Sequence, residues 1–377
     1  MSTSKHTNNR EVQQHLYGSD DTLCPFQEAR WCDGPPVENC WKCKVMYRGV
    51  SLLQTCIQTI ILLRGLELCI PLRHAGCVPE LPPVAPEIRI EKSLEKPLHV
   101  VEGDYRAISL RDVLTPGGFL RFAGRKQLLD ALKLPLGTPL ILNCSKEEYL
   151  IEIMWSSLRH VLLEGIRQLG FNAVLPPNYS QCGGDARCVQ IAAQCKSAFV
   201  FSLMMEAGMN CIPYMDVMSS ERDIQRVVNW FRQMPYVNAG YLSTQLLKNE
   251  EYTFQEMIRN TRKILKRVGR RLHIVWVGPS TSIRIRKVFR AFPNSTIVSA
   301  KPFWAGRNGE LLDTISLKRV KSQSSSLADI VDNNIERWQR CAELEQTCSI
   351  MGRLKSVGSY KSPMKDPSIY DHIYRQN

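Results

Sequence analysis

The chain has 377 residues, 44% of them hydrophobic, and a mean hydropathy of -0.21, values that exclude disorder throughout and allow a large buried core. Its formal net charge is +13, from 49 Lys and Arg against 36 Asp and Glu, which excludes a neutral surface and favours polyanionic partners. Fourteen cysteines without an export signal point away from a disulfide framework and toward metal ligands and buried thiols in a reducing cytoplasm.

Residues 1–20 are polar and read as a disordered leader, not a signal peptide. Residues 21–80 hold seven cysteines: Cys24, Cys32, Cys40, Cys43, Cys56, Cys69 and Cys77. The first four fall within twenty residues, and Cys40 and Cys43 form a C-x-x-C turn. Such spacing suits tetrahedral sulfur coordination of a structural zinc, with an iron–sulfur cluster as the rival occupant. The apolar run from Ser51 to Leu63 is too short for a bilayer crossing, which needs about 20 residues, and reads as a buried helix. Pro79, Pro82, Pro83 and Pro86 mark residues 81–97 as a linker.

From 98 to 311, short apolar runs alternate with amphipathic stretches. Strands are expected at 139–144, 171–175, 209–215, 236–242, 272–277 and 296–300, with further pieces at 105–109 and 118–122. Helices are expected at 145–170, 185–207, 219–233, 254–268 and 281–291. The fold class is therefore α/β, with repeating β/α units on a mainly parallel sheet behind a cysteine-rich metal-binding module. A (β/α) barrel or partial barrel is favoured over an open doubly wound sheet, because no glycine fingerprint follows the first strand. Residues 312–350 read as a basic linker and a polar helix, and 351–377 as a flexible tail.

Such folds place working residues in loops after the carboxyl ends of their strands. On this reading Asn143, Ser145, Asn178, Tyr179, Ser180, Asp216, Ser243, Thr244, Gln245, Ser280 and Lys301 share one rim, with Glu221 and Arg222 just beyond Asp216. Asp216 and Glu221 are the candidate acid–base or metal-binding carboxylates. Asn178, Ser243, Thr244 and Lys301 are candidate ligand or phosphate contacts. Helix capping and turn formation explain the same Asn, Ser and Asp residues equally well. From Met257 to Gly309 there are thirteen Lys and Arg and no acid, among them Arg262, Lys266 and Arg270. Such a run attracts the phosphate backbone of nucleic acid, unless acids elsewhere in the fold neutralise it.

From 171 to 306, Pro177-Asn-Tyr-Ser180, Ile212-Pro213, Ser220-Glu-Arg222, Ser243-Thr244 and Val277-Gly278 fall in an order that resembles an uncharacterised family of phage and mobile-element proteins, a domain of unknown function. The resemblance implies a barrel-like β/α fold and a mobile-element setting, and no activity. Together with the charge it leads to the expectation of a nucleic-acid-associated (DNA- or RNA-binding) cytoplasmic protein of a phage, plasmid or other mobile element. Two further readings stand beside it: an enzyme acting on a nucleotide or nucleic acid at the rim, and a non-catalytic assembly protein.

Overall fold

Each short apolar run is buried on both faces, the condition for a parallel sheet lined by side chains on one face and covered by helices on the other. The computed structural model describes residues 78–145, 148–154, 159–179, 187–215, 217, 221–245, 247, 250–323 and 326–357. The expected leader, all but the last residues of the cysteine-rich module, and the tail beyond 357 lie outside these residues. So do Cys24, Cys32, Cys40 and Cys43, and with them the zinc or iron–sulfur expectation.

Seven parallel strands form the sheet: β1 (Val84–Ile88), β2 (Arg106–Ser109), β3 (Leu140–Asn143), β4 (Ala173–Leu175), β5 (Ala239–Ser243), β6 (His273–Val277) and β7 (Ser295–Ser299). Their order is β4-β3-β2-β1-β7-β6-β5, so β1 joins the last strand of the ring to the second. Residues 210–215 fill the gap between β4 and β5. Val174 N donates to Asn210 O and Ile212 N to Val174 O, while Tyr241 N donates to Pro213 O and Met215 N to Tyr241 O. Pro213 has no N–H to give, so this eighth stave pairs only through bridges at Cys211 and Tyr214. The ring closes nonetheless, and the barrel expectation holds over the open sheet.

The helices are α1 (Leu110–Val113), α2 (Arg125–Leu132), α3 (Glu148–Ile153), α4 (Arg159–Gln168), α5 (Arg187–Glu206), α6 (Glu221–Gln233), α7 (Glu251–Val268), α8 (Ser282–Ala291), α9 (Lys301–Arg307) and α10 (Leu327–Val357). They bury one stripe each against the outer faces of the strands. Trp276 of β6, fully buried, meets Phe254 of α7 at 6.0 Å and Phe292 beyond α8 at 5.6 Å, which ties this side of the barrel together. Thr281 caps α8 by accepting from Arg284 N, and Gly269 ends α7 in the left-handed region.

No helix is assigned between β1 and β2, and the last helix takes that place. The Asp332 carboxylate of α10 accepts from His99 N at 3.0 Å, and Gln339 donates to Asp104 at 3.2 Å. Asn334 accepts from Leu312 N at 2.6 Å and donates to Glu310 O at 2.8 Å, pinning a hairpin of β8 (Glu310–Leu312) and β9 (Arg319–Lys321).

Several expectations change here. The stretch 81–97, read as a linker, contains β1, a central strand of the sheet. Residues 312–350 hold part of a hairpin and a helix packed on the barrel. The segment 118–122 forms no strand; Leu120 makes only a bridge to Leu114. No helix among the described residues is long and apolar enough to cross a membrane.

Candidate functional site

Side chains alternate along a strand, so every second residue of each stave points into the barrel. The lower layer is largely small and apolar: Ala85, Ala107, Ile141, Ala173, Ile212 and Ala239 all belong to the lumen core, and β7 adds the buried hydroxyl of Thr296. One step toward the carboxyl end, the β1–β3 side turns polar. Glu87, Ser109 and Asn143 occupy those positions, each 1% exposed or less. On the opposite side the same layer holds Leu175, Tyr241, Val277 and Val298.

The polar residues are wired together. Asn143 Nδ2 donates to Glu87 Oε2 at 2.9 Å, across β2. Asn143 Oδ1 accepts from the backbone N and the hydroxyl of Ser145, at 3.1 and 2.5 Å, which fixes which way the carboxamide faces. Arg89, two residues after Glu87, lies 2.7 Å from Asp112 of α1 through Nε and 3.9 Å from Glu87 through Nη1. Burial pushes the Asp112 carboxyl above the ordinary carboxylate range, and the Arg89 guanidinium pulls it back. Ser109 accepts from Arg111 N as the cap of α1 and so holds that helix at the mouth. Opposite, the Tyr241 hydroxyl donates to Pro176 O at 2.5 Å, and its ring packs on Tyr214 at 5.3 Å. Gly278, at the end of β6, has φ +108, and a side chain there would meet Thr244 Oγ1 at 2.9 Å. The arrangement offers a carboxylate, an oriented carboxamide and a guanidinium–carboxylate pair at one end of the lumen. That set can move a proton at a substrate atom and bind polar groups beside it.

Of the residues expected at the rim, Asn143, Ser145, Asn178, Ser243 and Lys301 do stand at or just after the carboxyl ends of β3, β4, β5 and β7. Thr244 is buried and donates to Val277 O at 3.1 Å, a structural bond between β5 and β6. The Lys301 ammonium donates to Ser280 O at 2.8 Å; burial and nearby Arg319 push its pKa down to about 8. Asp216, Ser180 and the Arg222 side chain lie outside the described residues. Glu221 is corrected: it is exposed at the start of α6 and pairs with Arg267 of α7, on the outer layer rather than the rim. Glu87, Arg89 and Asp112 were absent from the sequence expectation. The one signal for them was the alternation Ala85, Glu87, Arg89 against Val84, Ile88 and Ile90.

The basic run from 257 to 309 is largely spent within the fold. Arg267 pairs with Glu221, Lys287 with Glu251, Arg286 with Glu345 at 2.6 Å and Arg307 with Glu91 at 2.9 Å. Arg270 donates to the carbonyls of Phe231 at 2.9 Å and Met234 at 2.7 Å, and also to Val237 O. Arg262 and Lys266 are exposed on α7. The acids come from outside the run, which is the neutralised alternative named above. Among the described residues no group of three or more His, Cys, Asp or Glu is placed to hold a metal ion.

No protein-family model matches the chain, and no curated protein matches its sequence. Among solved structures it is similar to mandelate oxidase with 3,3-difluoro-2-hydroxy-3-phenylpropionic acid, at 9% identity and a TM-score of 0.37 over 66% of this chain and 66% of that one. The chain thus spans just under two thirds of the length of that protein. A mandelate oxidase mutant with an FMN adduct is similar at 7% identity and a TM-score of 0.37, over 70% of this chain and 75% of that one. The tryptophan synthase alpha chain of Legionella pneumophila subsp. pneumophila is similar at 11% identity and a TM-score of 0.36, over 76% and 96%. These likenesses are of outline only. The basic run is largely spent on ion pairs and carbonyls within the fold. The expectation of a nucleic-acid-associated protein of a phage, plasmid or other mobile element is corrected accordingly, and what remains is a closed β/α ring with a buried polar cluster at its carboxyl mouth.

Proposed function

We propose that the chain is a (β/α) barrel enzyme working at the carboxyl mouth of its lumen, with Glu87 as the group that takes or gives a proton on a small polar substrate. Asn143 orients the Glu87 carboxylate, and Arg89 with Asp112 sets the charge around it. The observation that supports this reading is the Glu87–Asn143 bond inside the barrel, where the layer below is apolar apart from the Thr296 hydroxyl. Burying charged groups in a lumen is often no better for stability than packing hydrocarbon there. Buried clusters of charged and polar groups concentrate at functional sites. The mouth also suits binding, because Ser145 and Asn178, only half-buried, stand beside the cluster's end of the ring.

The test uses the purified chain and its Glu87→Gln variant, which preserves shape and removes the ionisable carboxylate. Each is incubated with a mixture of small metabolites, and consumption is followed by mass spectrometry. The expected result is at least one compound consumed by the parent and consumed about 100-fold more slowly by the variant, the usual scale for losing a general acid or base. A compound turned over equally by both proteins would remove Glu87 from the reaction.

A further inference from the structure

A cavity lies at the amino end of the barrel, opposite the Glu87–Asn143 cluster. It encloses about 560 Å³, within the range of small-molecule sites, and its lining includes Glu80, Leu81, Asn238, Arg271, His273 and Gln346. Its wall is built from the start of β6, the approach to β5, the segment entering β1 and the side of α10.

Hydrogen bonding determines what this wall presents. Thr296 has one hydroxyl proton, and it goes to Pro82 O at 2.5 Å. The 2.8 Å contact between Thr296 Oγ1 and His273 Nε2 therefore has the imidazole as donor. Burial, with Arg271 close by, pushes the His273 pKa down to about 4, so the ring is neutral near pH 7. A neutral ring protonated at Nε2 carries a lone pair at Nδ1. Gln346 gives one amide N–H to Pro293 O at 2.7 Å, which fixes the carboxamide and keeps its side-chain oxygen as an acceptor beside its second N–H. With the Glu80 carboxylate, the cavity offers three kinds of acceptor together with one guanidinium, Arg271. A ligand that satisfies both must carry N–H donors and an anionic group.

We propose that this cavity is a binding site for a small zwitterion of the amino-acid or dipeptide class. Its amine meets Glu80 and His273 Nδ1, and its carboxylate meets Arg271. The site is separate from the carboxyl mouth and does not rest on the activity proposed there.

The experiment is calorimetric titration of the full chain with glycylglycine, glutamine and arginine, and with N-acetylglycinamide, which lacks both charges. At least one zwitterion is expected to bind one-to-one and at least tenfold more tightly than the uncharged probe. Arg271→Gln and Glu80→Gln, both at exposed positions and so tolerated by the fold, should each weaken that binding at least tenfold. Glu87→Gln should leave it unchanged. The proposal is overturned if none of the three zwitterions binds, or if binding survives both cavity variants. Loss of binding in Glu87→Gln would also overturn it, by placing the ligand at the other mouth.

Discussion

The two ends of the barrel solve the same problem differently. At the amino end the lumen is floored with hydrocarbon: Val78 and Leu81, from the segment that enters β1, join the core of Ala85, Ala107 and Ala239. Thr296, a buried hydroxyl on the lumen face of β7, bonds to backbone at Pro82 O, and Arg270, outside the ring, bonds to three carbonyls. At the carboxyl end charged and polar side chains gather at the mouth, and they bond to one another: Glu87 to Asn143, Arg89 to Asp112. Side-chain-to-backbone bonds fasten a fold, whereas side-chain pairs that leave half-exposed neighbours can exchange one partner for a ligand. On the proposed function, the difference assigns stability to one end and chemistry to the other, the division expected of β/α barrels.

The floor should be the more costly end to damage. Leu81→Ala removes a plug 7% exposed, and the gap is lined by strands that cannot move inward. A loss of about 3 kcal/mol is expected in urea unfolding. A loss below about 1 kcal/mol would mean that the floor is not what holds the amino end.

At the mouth, Asn143→Ala takes from Glu87 its neutral donor inside the lumen. Removing a hydrogen bond to a charged group costs about 2 kcal/mol, and Glu87→Gln, which keeps a partner for Asn143, should cost less. If both variants unfold at the same denaturant midpoint as the parent, the cluster contributes nothing to stability. The contrast between the two ends would then be sharper still.

His273 gives the amino end a pH signature. Its pKa, about 4 in the fold against 6.5 in the unfolded chain, is depressed, so the unfolded chain takes up the proton first. Above pH 6.5 the ring is neutral in both states and costs nothing. Between 6.5 and about 4 stability falls as the pH falls, and below that it levels. The total is about 3 kcal/mol. His273→Gln should flatten this limb in a series of melts from pH 7 to pH 4; an unchanged slope would assign the limb to other groups.

Much of the ring was legible in the sequence, because β3, β4, β6 and β7 are apolar runs whose burial on both faces shows in their composition. The strand that carries Glu87 was not. Pro86 stands in the middle of β1, and a proline among Pro79, Pro82 and Pro83 reads as a linker. Proline in a strand paired on both sides removes a ladder bond, so Pro86 argues against the central strand that β1 is. With β1 unread, Glu87 and Arg89 had no address. Residues 209–215 were read as a full strand because Met209, Ile212 and Met215 are apolar, but Pro213 limits them to two bridges. The basic run misled for a different reason: net charge along the chain says nothing of the acids that the fold brings to it from Glu91, Glu221, Glu251 and Glu345.

That point yields the smallest effect. Arg262 and Arg270 look alike in sequence, eight positions apart on one basic stretch. Arg262 is exposed on α7, whereas Arg270 lies past the helix end and donates to carbonyls at the close of α6 and at the turn into β5. Carbonyls at a helix end have no partner within the helix, and a cation there satisfies them while matching the negative end of the dipole. Glutamine at 270 can reach one of the three carbonyls and carries no charge, so Arg270→Gln should cost about 1 kcal/mol. Arg262→Gln should leave the unfolding midpoint where it is. Raising the salt should narrow the gap only slightly, because the Arg270 bonds are direct, partly buried and made to backbone. Equal effects from the two substitutions would show that the amino end is not fastened through its carbonyls, and the contrast between the ends would then rest on the hydrocarbon floor alone.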